Sequence, residues 1–192
     1  MDQNQAKKAL RKQVNEKISA LDTAYCREAD RAICQRIIDL PQYQQATAVF
    51  CFVGTDREID TTLLLRHALE SGKRLGVPRC IAKGEMEVFE IRSLEELEPG
   101  QYGILEPKAS CPRIDPGEIR FGVIPCVSCD RMGHRLGHGG GYYDRYLEKA
   151  GFSTAVICRE RILCDAIPKM EHDVDIDFVV TEDGVFANPE KR

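Results

Sequence analysis

Across residues 6–21 the apolar side chains Leu10, Val14, Ile18 and Leu21 recur at three- and four-residue spacing among polar neighbours, which predicts an amphipathic helix. Lys7, Lys8, Arg11 and Lys12 gather near its start. A second helical pattern covers residues 23–38, with Cys26, Ile33, Cys34, Ile37 and Ile38 on the apolar side and Pro41 marking its end. The periodicity then changes. Residues 46–53 (ATAVFCFV) form an almost unbroken apolar run rich in β-formers, as expected for a strand covered on both faces. The turn-like GTDREID follows, and Asp60 or Thr61 can cap a helix that reaches Ser71, where Gly72 stops it. Further strands are predicted at residues 74–78, 86–91, 122–125, 154–157 and 178–181, with a helix over 141–150.

Strands alternating with helices predict a three-layer α/β sandwich around a mostly parallel, Rossmann-like sheet. In such sheets ligands bind beyond the carboxyl ends of the strands, so the loops after Val53 and Pro125 are the first places to search. A chain of 192 residues with 43% hydrophobic content suits one domain spanning 1–192. Within it, residues 1–40 are expected to supply helices packing on the sheet, and residues 187–192 a mobile tail. The net charge of -4 argues against a nucleic-acid surface. With neither an apolar leader nor a run of about 18 apolar residues, the expectation is a cytoplasmic protein that does not enter a membrane. Nine cysteines in such a chain read as reduced thiols. Cys126 and Cys129 make a lone C-x-x-C, read as buried structural thiols because no neighbouring Cys or His spacing supplies a second ligand pair for zinc.

Chemistry concentrates in residues 130–146, DRMGHRLGHGGGYYDRY, where Gly133, Gly137, Gly139, Gly140 and Gly141 crowd together. Glycines at this density let backbone N–H groups approach a ligand and form a concave nest for an anion. Arg131 and Arg135 are candidate phosphate partners, and Asp144 can complement a helix dipole or hold Mg²⁺ beside a phosphate. The segment lacks the Walker A pattern, and Tyr142 stands where a dinucleotide fingerprint needs its third glycine. From the residues alone, a nucleotide site and a flexible loop before a helix cap both remain open.

The stretch RLGHGGGYYDRYL resembles the signature R-L-G-x-G-x-G-Y-Y-D of the 5-formyltetrahydrofolate cyclo-ligase family. The resemblance extends through the N-terminal K-K-x-L-R, REIDT, PRC, YGILEP, the IP before the glycine loop, and IPKMEHDVDIDFVVTE, all in the family's order. It implies ATP-dependent closure of 5-formyltetrahydrofolate to 5,10-methenyltetrahydrofolate through a phosphorylated imidate, with Mg²⁺ as cofactor and ADP and phosphate released. Carried over by position, it assigns ATP binding to Lys7, Lys8, Ala9, Leu10 and Arg11, and to Arg135, Leu136, Gly137, His138, Gly139, Gly140, Gly141, Tyr142 and Tyr143. The folate is assigned to Val53, Glu58, His138, Gly139, Gly140, Gly141 and Tyr142, and the metal to Asp144 and Asp173. Arg135, Tyr142 and Asp144 are the positions it gives to catalysis, and small molecules acting on a monomer are the expected partners.

One departure stands out: His138 occupies a place where relatives often carry arginine, and a reference pKa of about 6.5 makes its grip on phosphate pH-sensitive. The competing expectations are a non-catalytic folate- or nucleotide-binding protein, and a sugar-phosphate isomerase or acyl-transferase on a related fold. The latter needs a placed base or nucleophile, and no Ser-His or Cys-His arrangement stands beside the glycines.

Overall fold

Asp2 and Asp22 start the first two helices by accepting backbone N–H groups that no carbonyl of the helix can reach: Asp2 from Asn4, and Asp22 from Ala24 and Tyr25. These helices are α1 (Gln3–Ser19) and α2 (Thr23–Asp39). Pro41 ends α2 and also opens the short α3 (Pro41–Gln45), since its fixed φ and missing N–H suit a first helical position. The computed structural model describes residues 2–191, apart from the side chain of Tyr102.

The strands follow as β1 (Ala48–Cys51), β2 (Arg74–Ala82) after α4 (Thr62–Glu70), β3 (Glu85–Ile91), β4 (Leu97–Pro99), β5 (Leu105–Pro107) and β6 (Phe121–Ile124). After them come β7 (Ser128–Cys129), β8 (Arg135–Leu136), α5 (Tyr142–Leu147), β9 (Ser153–Ile157), β10 (Phe178–Val180) and β11 (Val185–Ala187). The central sheet has seven strands in the order β11-β10-β9-β6-β1-β2-β3. Its interior pairings are parallel, and only the edge strands β3 and β11 run antiparallel to their neighbours.

All four β1 residues are buried because each face of the sheet is covered. On one side Val49 and Cys51 pack with Ile33, Ile37, Tyr43 and Leu64 of α2, α3 and α4. On the other, Ala48 and Phe50 meet Val14 of α1 and Tyr146 and Leu147 of α5. Burying each large apolar side chain stabilises the fold by roughly 1.5–3 kcal/mol, so the run at residues 46–53 ties the two helical layers together. The expected α/β sandwich is therefore present. No helix among the described residues is long and apolar enough to cross a membrane.

Two expectations need revision. The helix expected over 141–150 is the shorter α5, which begins after Gly141. The tail expected over 187–192 is tied down at its start, Arg192 lying outside the described residues: Ala187 of β11 pairs with Phe178 of β10, and the buried Asn188 donates from Nδ2 to the Ile176 carbonyl and from its backbone to the Asp177 carbonyl. Polar groups paired in this way hold Asn188 beside the sheet.

Candidate functional site

From β1 the chain travels to β2 and β3 on one side of the sheet, then returns to place β6, β9 and β10 on the other. The β1/β6 boundary is therefore the switch point at which α/β sheets open a crevice. The loop after β1 carries Glu58, and the segment after β6 carries the glycines.

The first loop is closed tightly. Thr61 is not the side-chain cap of α4; its hydroxyl donates to the Phe52 carbonyl (2.8 Å) and accepts the Gly54 N–H (3.1 Å), while Asp60 Oδ1 accepts from Thr62 (2.9 Å). Glu58 Oε2 takes the Thr55 N–H and hydroxyl at 3.1 and 3.0 Å. Below it lies a salt bridge: Arg159 contacts Asp30 at 2.7 and 2.8 Å and also donates to the Glu58 carbonyl (2.8 Å). Asp30 Oδ2 accepts the Asp60 N–H as well (3.0 Å). Val53 lies partly buried against the core at the start of this loop.

The second wall is the glycine loop. Gly139 and Gly141 have φ of 96° and 67°, a left-handed backbone that an L side chain adopts only at a cost of about 1–3 kcal/mol. Arg11 of α1 crosses to this loop, donating from Nε to the Gly137 carbonyl (2.7 Å), and its guanidinium lies beside Gly139. Its neighbour Lys7 is buried in an ion pair with Asp173. Lys8 and Ala9 are exposed, and Leu10 packs partly against the core. The sequence signal in α1 thus divides by helix face: Lys7 and Arg11 turn to the site, and Lys8 turns to solvent.

At the base of the loop, buried Arg135 pairs with Asp144 at 2.5 Å, and Asp144 Oδ1 also accepts the Val174 N–H (3.3 Å). Arg135 Nε is buried without an acceptor among the described residues. Leu136 is buried in the core beneath, and the Tyr143 ring stacks on Phe50 with centroids 6.1 Å apart. Burial pushes the Tyr143 phenol well above its ordinary pKa. Tyr142 follows Gly141 in the first turn of α5, partly buried. The two walls meet where His138 Nε2 approaches Glu58 Oε1 at 3.1 Å. Burial raises the Glu58 pKa, but hydrogen bonds from His138 and Thr55 outweigh it and hold the carboxyl below its usual range.

Two residues of the glycine-rich segment stand elsewhere. Arg131 pairs with Glu160 and lies over the Phe186 ring (4.1 Å), so it is not a phosphate partner of this loop. Gly133 occupies the β7–β8 turn, where a Cβ would strike the Ile176 carbonyl. That hairpin is shaped by Asp130, which accepts from Met132, His134 and Ile167. One contributor had no sequence signal: Arg145 donates to the Gly140 and Gly84 carbonyls, tying the glycine loop to the β2–β3 turn.

Asp144 and Asp173 supply carboxylate donors of the kind a hard divalent cation takes. Among the described residues their hydrogen bonds fall on one oxygen each, Oδ1 of Asp144 and Oδ2 of Asp173, which leaves a second oxygen on either carboxylate for a ligand. For Asp173, burial opposes ionisation, yet Lys7 and the Met170 N–H more than compensate and hold its pKa low. A depressed folded-state pKa means stabilisation that is complete above the unfolded value of about 3.9 and lost as pH falls through the folded value. Accordingly, urea midpoints measured from pH ~6 down to ~3 should fall less steeply for Asp173→Asn than for wild type. Parallel pH profiles would dismiss the contribution of this pair.

Comparisons with known proteins identify the family and the fold. The description of the 5-formyltetrahydrofolate cyclo-ligase family matches residues 3–182. The "Probable 5-formyltetrahydrofolate cyclo-ligase" of Schizosaccharomyces pombe is 28% identical over 95% of this chain and 98% of that protein. The mouse (Mus musculus) 5-formyltetrahydrofolate cyclo-ligase is 27% identical over 94% of this chain and 95% of its own length. Among solved structures, the 5,10-methenyltetrahydrofolate synthetase of Aquifex aeolicus superposes with a TM-score of 0.85 at 28% identity, covering 97% of this chain and 94% of that one. A family match across nearly every element that builds the crevice, together with relatives aligned almost end to end, makes this chain a member of the 5-formyltetrahydrofolate cyclo-ligase family.

Proposed function

We propose that this protein closes 5-formyltetrahydrofolate to 5,10-methenyltetrahydrofolate, converting ATP to ADP and phosphate with Mg²⁺ present. The observation that carries this reading is the meeting of His138 and Glu58 at 3.1 Å, which places the glycine loop and the loop after β1 in one crevice. A phosphate donor on the first wall and a folate on the second are then neighbours.

The chemistry explains why such an arrangement suffices. A formyl oxygen is a poor leaving group until it is phosphorylated. In the proposed sequence it attacks the γ-phosphorus while the bond to ADP breaks, giving a phosphorylated imidate. The side-arm N–H nitrogen of the folate then attacks the imidate carbon, the carbon–oxygen bond breaks, and the departing phosphate carries off the proton lost from that nitrogen. The protein's task is alignment and charge dispersal. Lys7, Arg11 and Arg135 bring positive charge to the loop formed by residues 137–141. Lys8, Ala9 and Leu10 join the nucleotide side through α1, and Leu136 through the β8 backbone. Asp144 and Asp173 are the carboxylates proposed to hold Mg²⁺, which supplies neutralisation of phosphate oxygens. Glu58 accepts pterin N–H groups, Val53 floors that side, and Tyr142 and Tyr143 frame the junction. We place the activity in a single-domain monomer of the cytoplasm.

Mixing the protein with 5-formyltetrahydrofolate, ATP and Mg²⁺ should produce the near-ultraviolet absorbance of the methenyl product. Folded protein that binds folate but yields no product would leave a passive folate-binding protein instead. Glu58→Gln should raise the folate KM by about 10-fold with kcat little changed, since a neutral acceptor replaces a charged one at a cost of about 1–2 kcal/mol. An unaltered folate KM would remove Glu58 from the substrate side.

A further inference from the structure

We propose that Cys126, Cys129 and Cys158 form a binding site for a thiophilic d¹⁰ cation, Zn²⁺ or Cu⁺, at the carboxyl edge of the central sheet. The C-x-x-C alone lacks enough ligands. The fold supplies the third. β6 and β9 are parallel neighbours with Ile124 opposite Val156, so the residues just beyond them, Cys126 and Cys158, emerge side by side. Cys129 returns to the same place through β7. The three Sγ atoms all lie within 4.8 Å of one another. Sulfurs sharing an ion at a metal–sulfur distance of about 2.3 Å stand roughly 4 Å apart, so small side-chain rotations close the triangle.

The donor set identifies the cation class. Among the described residues no carboxylate or imidazole joins the group, which leaves only soft sulfur donors. Hard ions such as Mg²⁺ prefer oxygen, whereas thiolates select Cu⁺ and Zn²⁺. Cys129 and Cys158 are 0% and 1% exposed, while Cys126 is half-buried and provides the way in. Cys126 and Cys158 line a small cavity with Phe52, Glu58 and Arg159. Cys158 immediately precedes Arg159, the anchor of the Glu58 carbonyl, so a filled cluster braces the loop after β1 from below.

The test is an anaerobic titration of the reduced, chelator-treated full chain. Cd²⁺ serves as the spectroscopic stand-in for Zn²⁺, read by sulfur-to-metal charge transfer, and Cu⁺ delivered from a cuprous chelator is the second arm. Tight uptake of one equivalent is expected, and the arm that withstands the stronger competing chelator identifies the ion. Losing even an outer partner of a metal ligand weakens binding by about 10–100-fold, so Cys126→Ser, Cys129→Ser and Cys158→Ser should each weaken it at least that much. Cys80→Ser should leave it unchanged. A variant-free measurement guards against misfolding: one equivalent of the cation should shield Cys126 from alkylation by N-ethylmaleimide, followed by mass spectrometry. Equal affinity in wild type and Cys126→Ser/Cys158→Ser, or undiminished alkylation of Cys126 at saturation, would overturn the assignment.

Discussion

Replacing Asp144 with Asn is expected to lower turnover by about 10²–10³-fold, the loss typical of removing one preorganised charge-stabilising group, and to lower stability as well, because buried Arg135 loses its counter-charge. The physical reason lies in what Asn keeps and what it loses. Its carbonyl can still accept the Val174 N–H, so the local backbone has no cause to move. It cannot neutralise Arg135, whose side chain is only 4% exposed, nor offer a second anionic oxygen. The guanidinium at the base of the glycine loop is then mispaired at the point where the proposed reaction disperses phosphate charge. Steady-state kcat at saturating folate and ATP, with folate affinity and circular dichroism as controls, measures the effect. Wild-type turnover in Asp144→Asn would take this carboxylate out of the reaction.

Arg159→Met is expected to destabilise the protein by about 3–5 kcal/mol, because removing one partner of a buried ion pair strands the other charge. Asp30 and Arg159 have side chains 10% and 5% exposed, and between them they hold the Glu58 carbonyl and the Asp60 N–H. The damage should therefore appear twice, as a lower urea midpoint and as a weaker folate KM. An apolar double variant, Asp30→Leu/Arg159→Met, should recover much of the stability but not the KM, since the loop stays unanchored. A single variant within about 1 kcal/mol of wild type would show that the pair is more solvated than its burial indicates.

The elements that the hydrophobic pattern announced are those whose cores are local and periodic. Leu10, Val14 and Ile18 mark α1, and the run at residues 46–53 marks β1, because burial on one or both faces imposes its period directly on the residues. The short β7–β8 hairpin and β11 escaped because two or three residues carry no readable period. Asn188 looked like part of a loose tail since its partners, Ile176 and Asp177, belong to a distant segment. The same limit applies to the site. The glycine loop was visible as composition and Lys7 and Arg11 as a basic cluster, but their separation from Lys8 depended on helix phase against the sheet. Glycine density also drew in Arg131 and Gly133, whose contacts belong to another hairpin. Asp30, Arg159 and Cys158 meet partners far away in sequence, so topology rather than sequence proximity brings each to its place.

The reach of α1 bears on how the molecule comes together. Lys7 meets Asp173 across 166 positions of sequence, and Arg11 meets Gly137 across 126. Contacts so distant form only after the intervening chain has condensed, because loop closure must precede them. During synthesis Val14 can meet Ala48 and Phe50 early, whereas Lys7 and Arg11 have to wait for the segments that carry Asp173 and Gly137, so the candidate site is completed late.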